Sequence, residues 1–255
     1  MPIESALSAS TLFGFLLVLT RVSGIFAFVP MPGFHNAGAV PRVVASLALA
    51  VALLPVVQKA PAQPTLGLMI LWIAAEAMFG ILIGLCVAFL TEGFLLAMQI
   101  LGLQAGYSYA STVDPTSQAD SSILQVAAQL IASLLFFALG IDRAIIRLMA
   151  GDLQRQPLGS FATTPAATEA LIHLGGQAFV SGLRLALPVV ALLLLVDVTL
   201  ALTGRIHAQL QLLSLAFPAK MLAALALLAA IAGLFPVLYS QAATHTLESL
   251  TRMTR

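Results

Sequence analysis

Long apolar runs separated by short polar intervals dominate the chain, and their lengths predict helices rather than strands. Residues 11–29 form the first run, interrupted by Arg21 and Gly24 and stopped by Pro30, Pro32 and Gly33. A second run covers 37–57, with Pro41 and Arg42 near its start, where proline is tolerated, and Pro55 near its end. The third runs from 66 to about 103 and carries Glu76, Gly80, Gly84 and Glu92. A bilayer crossing needs about 20 residues, so this segment must tilt strongly or project beyond the bilayer. A polar, turn-rich interval at 102–122 separates it from a fourth run, 123–140. An amphipathic stretch with Asp142, Arg143 and Arg147 continues to 150. The interval 151–169 is the most polar and reads as an exposed linker. Behind it, a helix is predicted over about 171–203, with Arg184, Pro188 and Asp197, followed by a turn at 204–207. The last helix is predicted over about 212–239, with Pro218, Lys220 and Pro236, before a short, mildly polar tail ending in Arg252 and Arg255.

The pattern therefore predicts an all-α, polytopic helical membrane-type protein with about six long apolar helices. A front helical part occupies 1–150 with its central loop at 102–122, a polar linker 151–169, and a rear helical hairpin with the tail 170–255. Composition agrees. Of 255 residues, 60% are hydrophobic and 8% charged, against roughly 25% charged in soluble domains. The net charge of +1 implies no polyanionic partner, so no nucleic acid. The single cysteine, Cys86, excludes an internal disulfide and a cysteine metal cluster. The N-terminal stretch lacks the basic region of a cleavable signal, so the first run is expected to be a retained helix.

Charges change the picture most. Arg21, Glu76, Glu92, Arg184, Asp197 and Lys220 lie within or at the edge of apolar segments, and Arg42 and Arg205 near helix ends. A charge facing lipid at mid-bilayer costs about 2.5–3.5 kcal/mol even on the lenient scale. These residues are expected at helix or subunit interfaces, with snorkelling as the alternative for Arg42, Glu92 and Lys220. Gly80-x-x-x-Gly84 offers a close-packing face. Pro188 and Pro218 free backbone groups that neighbouring helices must satisfy. Such a chain is not expected to stand alone in lipid.

The interval 102–122 reads GLQAGYSYASTVDPTSQADSS. Its glycines permit tight turning, Ser108, Ser111, Thr112 and Asp114 favour turns, and Asp114-Pro115 disfavours helix. It is either a plain surface connection or irregular backbone at membrane depth, tolerated only when buried in protein or lining a watery path. No catalytic, cofactor or metal site is expected. His35, His173, His207 and His245 are scattered, and no metal-ligand spacing, nucleophile elbow or phosphate loop occurs. Two rivals stay open: a small-solute or ion transporter relaying protons through its carboxylates, and an intramembrane hydrolase using Ser108 or Ser111 with His207.

The motifs resemble the FliR/SctT family of type III export-gate proteins. They are Arg21-x-x-Gly24, the turn 30–33 and Pro41-Arg42 in front, then Leu103-Gln104-Ala105-Gly106-Tyr107-Ser108-Tyr109-Ala110-Ser111-Thr112-Val113-Asp114-Pro115 in the centre. At the rear stand Gly182-Leu183-Arg184-Leu185-Ala186-Leu187-Pro188, Asp197, Arg205 and Phe217-Pro218-x-Lys220. Gly-x-Ser-x-Ala followed by Asp-Pro recurs in the family; Tyr107-Ser108-Tyr109 departs from the aliphatic or Met residues many members carry. The resemblance implies a non-catalytic subunit of the bacterial inner membrane and flagellar basal body. It implies assembly with FliP-like and FliQ-like membrane subunits and a FlhB-like export switch protein, in contact with membrane lipid. It further implies a pore plug at 106–119, including Gly106, Tyr107, Ser108, Tyr109, Ala110, Ser111, Thr112, Asp114, Pro115 and Gln118, which moves aside for unfolded export substrates.

Overall fold

The computed structural model describes residues 9–29, 40–57, 65–107, 123–155, 157–159, 165–206 and 212–253. Among them the regular structure is helical: α1 (Ala9–Phe28), α2 (Val40–Leu53), α3 (Leu66–Ala105), α4 (Ile123–Ala138), α5 (Ile141–Arg155), α6 (Pro165–Ile206), α7 (Leu212–Ile231) and α8 (Phe235–Met253). Short 3-10 turns, Leu54–Val56 and Ala232–Leu234, follow α2 and α7. The all-α membrane-type class holds, with a lower count of long helices than six. Four stretches among the described residues are long and apolar enough to cross a membrane: Ser10–Phe28, Leu66–Ala105, Ala167–Arg205 and Pro218–Met253. Counting the bent pair α4–α5 as one span makes five. The second apolar run yields only a shorter helix, because Pro55 falls in a 3-10 turn that ends it.

Three sequence-based boundaries shift, each for a local reason. Gly204 was expected in a turn, yet α6 continues to Ile206; glycine is common inside membrane helices. Pro236 lies in the first turn of α8, where its missing N–H leaves no hydrogen bond unmade. The segment holding Arg252 is the last turn of α8 rather than a tail, a favourable end for a cation beside exposed carbonyls. Between α4 and α5 the chain breaks at Gly140, whose φ of 68° is a left-handed value that side chains resist.

The chain forms two compact units, each assembled from separated stretches. One contains residues 1–89, 136–175 and 243–255; the other contains 90–135 and 176–242. In the first, Leu17, Val18, Phe79, Ile83, Leu153 and Leu250 are buried. In the second, Leu101, Leu193 and Ala224 are buried, and Phe94 meets Phe235 edge to face at 5.1 Å. Each unit contains a crossing that only glycine allows. In the first, α1 lies so close to α3 that a Cβ on Gly80 would overlap the Arg21 carbonyl. A Cβ on Gly84 would stand 3.0 Å from the Gly24 and Ile25 carbonyl oxygens. In the second, a Cβ on Gly93 would stand 2.7 Å from the Ala178 carbonyl oxygen, and one on Gly182 2.6 Å from that of Gly93. This is the small-residue packing that membrane helices use where the hydrophobic effect cannot drive them together.

Candidate functional site

The polar side chains gather in two places, one in each unit. In the first unit the close α1–α3 crossing brings Arg21 against α3. Its Nε donates to Glu76 Oε2, and its Nη1 donates to Asp152 Oδ2 on α5 at 2.7 Å. The Gly159 backbone N–H donates to the other Glu76 oxygen at 2.7 Å. The guanidinium also stands 4.5 Å from the Phe79 ring centroid, a cation–π contact. All three charged side chains are 2% exposed or less. Buried charges persist only when paired and hydrogen-bonded, and here one guanidinium supplies its forked donors to two helices. The cluster therefore fixes α1, α3 and α5 relative to one another.

Asp152 is the residue that sequence reasoning missed. It fell in the interval read as an exposed linker, yet Gly151–Arg155 is the last turn of α5 and Asp152 is buried. A signal was available. Ile141, Ile145, Met149, Asp152 and Leu153 share the buried face of α5, so helical spacing continued through 151–155 places Asp152 on the apolar stripe. Nearby, Arg42 donates from Nη1 to the Ala27 carbonyl at 3.1 Å, tying the start of α2 to the last turn of α1.

In the second unit the cluster lies where α3 ends. Asp197 on α6 accepts from Lys220 Nζ at 2.7 Å and from Gln104 Nε2 at 3.2 Å, both at Oδ2. Just past α3, Tyr107 donates its hydroxyl to the Met221 carbonyl on α7 at 3.1 Å. Burial pushes its phenol above the ordinary value. Gly106, with φ 86°, turns the chain between Gln104 and Tyr107. The entry to the central loop is thus fastened to α6 and α7 by side chains one turn apart. The rest of the expected plug, Ser108 to Gln118, lies outside the described residues.

The remaining expected charges are placed differently. Glu92, Arg184 and Arg205 are exposed on long helices, and among the described residues none forms an ion pair. Burial by the chain's own helices therefore does not apply to them. Asp197 and Lys220 pair but stay partly open, at 41% and 15% side-chain exposure. Pro188 lies inside α6 and Pro218 inside α7, both without ending the helix.

Long apolar helices, glycine crossings and ion pairs between helices define a polytopic helical membrane protein. Residues 12–246 match the model of one family, described as bacterial export proteins, family 1. The chain belongs to that family, and it is a multi-pass protein of the bacterial inner membrane. It is 31% identical over 169 residues to the flagellar biosynthetic protein FliR of Escherichia coli (strain K12), covering 66% of this chain and 65% of that relative. It is 29% identical over 143 residues to the protein of that name from Pectobacterium carotovorum, covering 56% of this chain and 55% of the relative. The chain thus spans under two thirds of the length of both. With the FliR of Bacillus subtilis (strain 168) it is 24% identical over 243 residues, 94% of this chain and 93% of that one.

Proposed function

We propose that the chain is a non-catalytic subunit of the flagellar type III protein-export gate, forming and plugging the export pore with FliP-like and FliQ-like membrane subunits. One observation carries the reading: apolar helices that the described residues leave bare carry charge with no ion pair among those residues. Only 17% of the most apolar window is buried within the chain for Ala167–Arg205 and for Pro218–Met253, against 50% for Leu66–Ala105. Lipid satisfies bare leucines at no cost, but not Arg184 and Arg205 on α6. Neighbouring protein subunits supply what these residues need, and the relatives' shared name, flagellar biosynthetic protein FliR, supports a flagellar assembly.

The loop that starts at Gly106 is the plug. Its entry is held by Tyr107 and by the Gln104–Asp197–Lys220 contacts, which are partly exposed and weak enough to release. Small residues after it reposition at low conformational cost, and Tyr109 adds bulk to fill a lumen. Unfolded export substrates pass when it swings aside, in an assembly that includes a FlhB-like export switch protein.

Native mass spectrometry of the tagged chain, extracted from its own membranes in mild detergent, tests the assembly. A defined complex with two other small helical membrane proteins is expected; a stable lone chain or homodimer would favour a transporter instead. Deleting residues 107–118 is expected to raise ion leakage through the assembled gate. Unchanged conductance would remove the plug assignment while leaving the assembly standing.

A further inference from the structure

The Arg21 cluster does not balance in charge. Arginine stays protonated in proteins, and it faces two carboxyl groups, Glu76 on α3 and Asp152 on α5. With both carboxyls ionised the cluster would carry one net negative charge, sealed from solvent. Among the described residues the other charged group acting on Asp152 is Arg155, one turn along its own helix; its side chain is exposed and its field is screened by water.

The hydrogen-bond donors say which carboxyl carries the excess. Glu76 has both oxygens satisfied, Oε2 by Arg21 Nε and Oε1 by the Gly159 N–H. That is the environment of an ionised carboxylate, which only accepts. Asp152 has one oxygen satisfied, Oδ2 by Arg21 Nη1. Its Oδ1 is closed off from solvent and meets no donor among the described residues. A bare anionic oxygen in such a place is strongly disfavoured, and a proton on it restores neutrality.

From this we infer that Asp152 is a proton-binding site, a carboxylic acid at neutral pH that Arg21 bridges to Glu76. A proton on Asp152 removes the excess negative charge of the cluster. Its proton links pH to the packing of α1, α3 and α5. The sign follows from linkage. A carboxyl that holds its proton in the folded state and loses it in the unfolded state makes stability fall as pH rises, from the ordinary carboxylate range up through the folded-state titration.

Infrared spectroscopy of the purified protein tests this near neutral pH, where protonated and ionised carboxyls absorb in separate bands. The wild-type protein is expected to show a carboxylic-acid carbonyl band that shifts when aspartate is carbon-13 labelled. Asp152→Asn removes that band. Glu76→Gln removes it as well, although Asp152 is still present, because Arg21 then faces one carboxyl and that one ionises. Melting temperature should fall with rising pH in the wild type and stay flat in Asp152→Asn. Absence of any aspartic-acid band in the wild type would overturn the assignment without recourse to a variant. So would a band that survives either substitution.

Discussion

The two units treat charge in opposite ways. The first closes the charges of its long apolar helices α1 and α3 inside itself, with Arg21 bridging Glu76 and Asp152 at 2% exposure or less, and exposes charge on α5 and the last turns of α8. The second leaves Asp197 and Lys220 half-open, and Glu92, Arg184 and Arg205 exposed without an ion pair among the described residues. Both use glycine crossings, so the difference is not one of packing style. It lies in where the partner for each charge comes from. A cluster paired within its own unit belongs to a scaffold, whereas exposed charge on apolar helices belongs, on the proposed function, to a surface that other subunits cover.

Breaking the closed cluster has the largest expected effect. Arg21→Met leaves two buried carboxyls without their shared donor, and losing one partner of a buried pair costs about 3–5 kcal/mol. The isolated chain should then unfold at a much lower temperature or fail to accumulate; a wild-type melt would contradict the scaffold reading. Next comes Gly80→Ala, which drives a methyl into the Arg21 carbonyl and should cost about 1–3 kcal/mol through overpacking. Gly176→Ala is the control. Nothing lies within 4 Å of its added methyl, and removing a helical glycine there should stabilise by about 0.5–1 kcal/mol.

In the second unit the effects on the lone chain shrink while those on assembly grow. Tyr107→Phe removes one hydrogen bond to the Met221 carbonyl, worth about 0.5–1.5 kcal/mol. Its clearer readout is ion leakage through the assembled gate, expected to rise. Asp197→Lys should move the melt of the isolated chain less than the changes to the closed cluster, since the Asp197–Lys220 pair is only partly buried. The same variant should lower the yield of hetero-complex. A large loss of chain stability with normal complex yield would reverse the comparison.

Much of the scaffold was legible in the sequence. Arg21 and Glu76 interrupt apolar runs, and the cost of charge in lipid predicted buried partners for them. The spacing of Gly80 and Gly84 pointed to a close crossing, although nothing in the pattern said that Gly24 and the Arg21 carbonyl would lie opposite. Asp152 was hidden because a dense polar interval reads as a loop until its periodicity with Ile141, Ile145 and Met149 is followed. Helix ends were the least legible. Gly204 is a breaker in water but is common inside membrane helices, and Pro236 opens α8 rather than closing the helix before it. The exposure of Arg184 and Arg205 was unreadable for a different reason. Sequence shows that such a charge needs a partner, and only the fold shows that no ion pair forms with it among the described residues.

One experiment bears directly on whether the open unit is completed by other subunits. A photo-crosslinking residue replaces Arg184, the chain is expressed in its own membranes, and the adducts are identified by mass spectrometry. The account predicts a crosslink to a different small helical membrane subunit, in high yield and lost when that subunit is deleted. Adducts to lipid alone, with the hetero-complex otherwise intact, would contradict it.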